Sequence, residues 1–415
     1  MGMTMTEKIL ARHSHRKEVH PGNIVECYID VAVLPELGST WYPLPKKVWD
    51  PDRVWIVMDH QIPAPNVDTA NEMNLLRQFA HKTGIKNLVD IGRHGITHVL
   101  LSERGAVLPG STLANADSHA CSLGALNCAA RGVGGPDMVY IMCMGKTWFL
   151  VGPTVRFIVR GEAPMGVFAR DIIHFVAGKY GDFSNHNVEW FGPAVAKMDM
   201  AGRFTIATMC AEISAEFALF ECDQTTLNYL KQRTNEPFEP AFADPDANYE
   251  ATYEIDISGL EPQVVLPDKV PHNVKPVSEV KGIKIDQAFI GSCANARIED
   301  IKVAADIVQG REVAPGVRFI VTPGSQAVYL EALKEGHIAT LIESGAVVTN
   351  SACGACFGGL MGVLGHGETC ISTGTRNFRG RMGSPKSRVF MGSPAVIAAS
   401  ALKGQIADPR DIWGC

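Results

Sequence analysis

"DQAFIGSCANARIED", residues 286–300, starts as a short β-rich run, stops at Gly291-Ser292, and places a cysteine, Cys293, where the strand ends. In open α/β sheets ligands bind beyond the carboxyl ends of strands, so a sulfur at that position is a candidate ligand. Similar runs recur along the chain: "RVWIVMD" (53–59), "ITHVLL" (96–101), "TVRFIVRG" (154–161), "VRFIVTPG" (317–324) and "GAVVTN" (345–350). The segments between them are long enough for crossover helices, which predicts α/β architecture with largely parallel sheets. Asp59-His60 and Cys353 also stand where predicted strands stop. Several sheets could therefore deliver residues to one cleft.

A chain of 415 residues and 44.8 kDa exceeds what one hydrophobic core serves, so two or three domains are expected. Residues 235–280 are rich in proline and acidic groups and poor in helical periodicity. They read as a surface connection ahead of a last α/β domain. A weaker break falls at Gly152-Pro153. The expected partition is 1–153, 154–255 and 256–415.

The net charge of −6 and pI of 6.1 provide no general field for nucleic acid or an anionic membrane, and small-molecule chemistry is the expectation. "FLVGPTVRFIV" is interrupted by Gly152, Pro153 and Arg156 and is too short to span a bilayer. The N-terminus lacks the apolar core of a secretory signal, so a cytoplasmic location is expected. The "RHSHRKEVH" run, with His13, His15 and His20, fits no common metal spacing and reads as a solvated edge.

Eleven cysteines scattered over so long a chain do not resemble a disulfide framework. Most read as small buried hydrophobes. The exception is "SACGACFGG", residues 351–359, where Cys353 and Cys356 form a C-x-x-C. Such a pair can be a redox couple, half a zinc site or part of an iron–sulfur site. With Cys293 it makes three sulfurs and no obvious fourth. That suits a cubane cluster with one open iron, and it leaves a zinc-stabilised scaffold as an alternative.

Three longer segments narrow the choice. "FIGSCANARIED", "SACGACFGGLMGVLGHGETCISTGTRNFRGRMGS" and "ANADSHACSLGALNCAARGVGGPDM" resemble the signature segments of the aconitase family, and the resemblance runs from "KILAR" near the start to "ADPRDIWG" near the end. It implies three α/β domains around a cluster-containing cleft, and an iron–sulfur hydro-lyase that dehydrates and rehydrates a 2-hydroxy dicarboxylate. It further implies a 4Fe-4S cluster on Cys293, Cys353 and Cys356, its open iron acting as a Lewis acid on the substrate hydroxyl. Asp59 and His60 would stand nearest the leaving hydroxyl, with His60 protonating it. His98 would pair with Asp117, and His119 with Glu212; carboxylate partners orient imidazoles and raise their pKa values. Ser118, Arg376 and Arg381 would contact substrate, arginine binding carboxylates through planar bidentate bonds. Arg379, between the two arginines, reads as a solvated charge.

The resemblance also marks what differs. Members that work on one chain have a fourth, swivelling domain with a Gly-Ser-Ser-Arg segment, which this sequence lacks. A separate small subunit is expected to supply that base serine and arginine. Ala294, Ala296, Ala355 and Thr375 depart from the family pattern, and Pro35-Glu36 stands where a His-Asp pair is expected. Changed polar contacts near a site alter discrimination strongly, so another malate derivative competes as substrate. From a different class, a non-catalytic cluster sensor binding RNA would fit the family, but the acidic charge argues against it.

Overall fold

A computed structural model describes residues 2–37 and 42–413; Cys415 lies outside them. The chain forms two compact units. The first comprises residues 1–91, 100–161 and 183–255, the second 92–99, 162–182 and 256–415.

The first unit contains a five-stranded sheet in the order Asn87–Val89, Val54–Val57, Val31–Pro35, Thr112–Asn115, Ala129–Gly132, with every neighbour parallel. The strand earliest in sequence, Val31–Pro35, is central and fully buried. Parallel strands covered on both faces are apolar throughout rather than alternating. The crossover helix Val67–Thr83 starts at Asn66, whose side chain accepts the Thr69 N–H, and stops at Gly84 in the left-handed region (φ 78°). Its inward stripe is Met73, Leu76, Phe79 and Ala80, the three-to-four spacing of an amphipathic helix. The strand order reverses between Val31–Pro35 and Thr112–Asn115. A crevice is expected at the carboxyl ends of such a pair.

A second sheet of this unit runs Ala218–Phe220, Asn187–Phe191, Thr154–Arg160, Ala251–Asp256. Phe157 and Trp190 stack at 4.7 Å across its middle strands. The N-terminal helix Met5–His13, opened by a Thr4–Glu7 capping box, is tied to this sheet by Glu189. That buried carboxylate accepts the Thr6 N–H (2.9 Å), the Thr6 hydroxyl (3.0 Å) and the Tyr249 hydroxyl (2.9 Å).

The second unit holds a seven-stranded sheet in the order Val274–Pro276, Gln263–Val265, Arg388–Met391, Thr369–Ser372, Gln287–Ile290, Arg318–Val321, Val347–Val348. The last five are parallel. They wind as the first unit's five do: the earliest strand central, two strands added on one side, then two on the other. Its reversal falls between Gln287–Ile290 and Thr369–Ser372, immediately before Cys293 and the 373–376 turn. Helices Ile298–Val308 and Pro394–Lys403 pack on each other through an apolar cluster that includes Ile301, Ala304, Val396 and Ile397.

Two expectations are corrected. "ITHVLL" belongs to a helix, Thr97–Glu103, because residues 97–102 are all buried, and a short run that is apolar on every side carries no period to separate strand from helix. Residues 235–280 are not merely a draped connection: they supply Ala251–Asp256 to one sheet and the antiparallel pair Gln263–Val265 and Val274–Pro276 to the other. Proline is compatible with strands where it ends them or sits on an edge, as Pro276 does. Among the described residues no helix is long and apolar enough to cross a membrane.

Candidate active site

In the first unit the site residues stand where the strand order reverses. Glu36 follows the central strand and is wholly buried. Its carboxylate accepts three consecutive backbone N–H groups, from Asp59 (2.8 Å), His60 (2.8 Å) and Gln61 (2.6 Å). Glu36 thereby fixes the direction in which the next strand's end presents Asp59 and His60. Burial, and then the adjacent Asp59 carboxylate, push Glu36 up to about 7 against the pull of His60 and the N–H groups.

His60 Nδ1 lies 2.6 Å from Asp59 Oδ1, and its Nε2 lies 3.6 Å from Asp117 Oδ2. With Nδ1–H donated to Asp59, Nε2 is the nitrogen that can exchange a proton with a ligand. Asp117 follows the strand Thr112–Asn115 and accepts the His119 N–H at 2.8 Å through Oδ1. His119 Nε2 meets Glu212 Oε1 at 2.8 Å. Glu212 is carried on the 3-10 turn Cys210–Ile213 that continues helix Met200–Met209. Burial lowers the His119 pKa, but hydrogen bonds to Asp117 and Glu212 outweigh it and the net shift is upward. Ser118, between them, is exposed.

In the second unit Cys293 follows Gln287–Ile290, the central one of the five parallel strands. Its loop is pinned by the Ser292 hydroxyl, which donates to the Thr373 carbonyl at 2.9 Å. Cys353 and Cys356 share one turn, closed by the Cys356 N–H to the Cys353 carbonyl at 3.2 Å. That turn needs Gly354 at φ 59°, where an added Cβ would lie 2.9 Å from Thr322 Oγ1. Cys293 and Cys356 are buried and Cys353 is half-buried; the described cysteines form no disulfide. Thr375 Oγ1 and Arg381 Nη2 each lie 4.0 Å from Cys356 Sγ. Arg376 is half-buried. Arg379 is exposed and pairs with Asp268 at 3.0 Å.

The structure thus groups Asp59, His60, Asp117, His119 and Glu212 in one unit, and Cys356, Thr375 and Arg381 in the other. His98, buried near the start of helix Thr97–Glu103, belongs to the second unit while Asp117 belongs to the first. Their pairing is part of the functional proposal. Three residues carry more than their sequence context suggests. Glu36 stands out in the sequence only as a departure. His94 contacts Asn350, three residues before Cys353, through Nε2 at 3.0–3.2 Å. Arg170, a charged residue inside the apolar stretch "VFARDIIHFV", is fully buried. A charge on the inward stripe of a helix is the signal that could have marked it.

Strand-end carboxylates and imidazoles in one unit and strand-end cysteines beside arginines in the other define a class. The chain belongs to the aconitase family: the model of that family, described as "Aconitase family (aconitate hydratase)", matches residues 45–281 and 268–404. Among individual proteins, it is 48% identical over 413 residues to a "3-isopropylmalate dehydratase large subunit" of Mycolicibacterium smegmatis, covering 99% of this chain and 98% of that one. A protein of the same name from Aquifex aeolicus is 44% identical over 99% of this chain and 98% of its own length. A "Probable methanogen homoaconitase large subunit" of Methanothermobacter thermautotrophicus is 43% identical over 99% of each chain. The crystal structure of holo aconitase X from Thermococcus kodakaraensis covers 87% of this chain and 88% of its own, with 14% identity and a TM-score of 0.49.

Proposed function

We propose that this chain is the large subunit of a hydro-lyase that removes water from, and returns it to, a 2-hydroxy dicarboxylate, with 3-isopropylmalate as the leading substrate. The observation that supports this best is the full-length likeness, at 48% identity, to a 3-isopropylmalate dehydratase large subunit. Its place in that reading is leucine biosynthesis. The three domains of the reading are 1–153, 154–255 and 256–415, the last carrying the cysteines.

Cys293, Cys353 and Cys356 would hold a 4Fe-4S cluster. The donor set fits: soft sulfur ligands, all in one unit and two on one turn, with a guanidinium 4.0 Å from one of them. When bound, the cluster supplies a Lewis acid at its open iron for departure of the hydroxyl. The protein's own groups do the rest. Arg376 and Arg381 bind carboxylates and Ser118 offers a hydroxyl. Asp59 holds His60 by Nδ1 so that Nε2–H is given to the departing hydroxyl, which leaves as water while the C–H proton passes to a base. His98 works with Asp117, and His119, its pKa raised by hydrogen bonds to Asp117 and Glu212, stands beside that pair. A small subunit with the swivelling domain supplies the base serine and a further arginine.

Homoaconitate is the second reading. It is supported by the 43% identical methanogen relative. The test is anaerobic reconstitution of the chain with its candidate small subunit, followed by alkene formation and consumption over a panel of 2-hydroxy diacids. Turnover of 2- and 3-isopropylmalate above the rest is expected. Preference for homoaconitate moves the assignment to the second reading, and zinc without acid-labile sulfide in the purified chain overturns both.

A further inference from the structure

We propose that Arg170 is a positioning residue for the cysteine site: a buried guanidinium that clamps the Cys293 loop to the 373–376 turn and serves as fixed counter-charge to the cysteine sulfurs. This rests on the proposal that those cysteines hold an iron–sulfur cluster.

Arg170 is the second residue of helix Ala169–Tyr180 and has no exposed surface. Its Nη1 donates to Asn295 Oδ1 at 3.0 Å and to the Thr373 carbonyl at 3.1 Å, and its Nη2 donates to the Gly374 carbonyl. Asn295 lies two residues beyond Cys293. Gly374 lies against the other cysteine segment, since a Cβ built on it would stand 3.7 Å from Cys356 Sγ. One planar fork therefore spans the two strand ends at the reversal of the sheet. Nη2 also reaches Met391 Sδ at 3.9 Å, Nε donates to His174 Nε2 at 2.7 Å and holds the fork from behind, and burial together with the Arg170 charge keeps His174 neutral.

These partners are two carbonyls, an amide oxygen, a thioether sulfur and a neutral imidazole, so none of them cancels the charge. The nearby acids are engaged elsewhere. Asp171 accepts the Gln263 and Phe168 N–H groups at 2.8 Å each. Asp300 accepts Asn295 Nδ2 at 2.8 Å and the Arg297 N–H at 3.0 Å. Burial holds both carboxyls up at about 7, where their charge is partial. Burial pushes Arg170 down to about 10, and the Cys356 and Cys293 sulfurs oppose that more strongly than Asp171 or Asp300. An unpaired guanidinium in the interior is expensive. Anionic sulfur beside it offsets that cost, and in return a fixed positive charge eases addition of an electron to the cluster. Groups that hold metal-binding segments in place typically govern metal retention by about ten- to a hundredfold.

The test uses the full chain, reconstituted anaerobically, as wild type, Arg170→Gln and Arg170→Lys. Iron and acid-labile sulfide are measured first. A wild-type chain that takes up no cluster overturns the reading beneath the proposal, and the proposal with it. With the cluster in place, two quantities are read: the midpoint potential by EPR-monitored titration, and the rate of iron loss to a chelator. Arg170→Gln is expected to have a more negative midpoint and at least about tenfold faster loss. Arg170→Lys, which keeps the charge but not the fork, is expected to keep the wild-type midpoint while losing iron faster. A wild-type midpoint in Arg170→Gln overturns the counter-charge, and a wild-type rate in Arg170→Lys overturns the clamp. If Arg170→Gln does not fold, Arg170→Lys decides: faster loss at an unchanged midpoint supports the proposal, and a displaced midpoint or unchanged loss overturns it.

Discussion

Glu36 shows how much one buried carboxylate can organise. Replacing it by glutamine leaves a single oxygen for three N–H donors and turns an amide against one of them; a buried donor left unpaired costs about 1–3 kcal/mol. Glu36→Gln is therefore expected to lower the melting temperature and, by loosening Asp59 and His60, to reduce kcat more than it changes KM, which steady-state kinetics of the assembled enzyme will show. The same carboxyl has a pH signature. Its pKa in the fold, about 7, lies above its ordinary value of 4.5. The folded state thus holds the proton more tightly, and the stability this contributes is complete below 4.5 and lost as pH rises through 7. Because burial raises Asp171, Glu189 and Asp300 in the same way, denaturant titrations between those limits should show that slope reduced, not abolished, in Glu36→Gln. His119 is also shifted upward, by its carboxylate partners. Glu212→Gln should lower its imidazole pKa in an NMR titration, and an unchanged value would exclude the pair as its cause.

At the scale of elements, the turn carrying Cys353 and Cys356 is the most exacting. Gly354 occupies the left-handed region with Thr322 at close range, and a Cβ in that region costs roughly 1–2 kcal/mol. Gly354→Ala is expected to hold less iron and sulfide per chain after identical reconstitution. Gly316→Ala, at φ 85° with nothing within 4 Å, is the control for strain alone and should load normally. Strand ends of this kind are legible in sequence, because a short apolar run that stops at a small or charged residue marks where a buried parallel strand leaves its sheet. Hence the strands before Asp59, Cys293 and Cys353 could be placed from composition alone. The helix Thr97–Glu103 could not, since its buried run shows no period, and neither could the short strands of residues 251–276, of which Ala251–Asp256 and Val274–Pro276 are sheet edges. The site divides the same way. Cysteines and histidines are rare enough to attract notice singly, whereas the roles of Glu36 and Arg170 come from bonds to backbone groups distant in sequence, which no local pattern records.

For the whole molecule, the proposal predicts that the chain alone takes up iron and sulfide yet turns over almost no diacid, and that titration with the small subunit restores activity to a plateau at one partner per chain. Substantial turnover by the isolated chain would remove the need for a partner's base. A last consequence follows from residues 162–182 belonging to the second unit although the chain around them belongs to the first. At ribosomal speeds of about 5–20 residues per second, helix Ala169–Tyr180 emerges roughly 10–40 s before the 373–376 turn is translated. Until then Arg170 lacks the Thr373 and Gly374 carbonyls, although the strands its helix packs on, Gln263–Val265 and Val274–Pro276, have already been made. The nascent chain therefore carries a charge whose carbonyl partners are still to come. Under the proposal, a cluster held by Cys293, Cys353 and Cys356 can be completed only after Cys356 has been made.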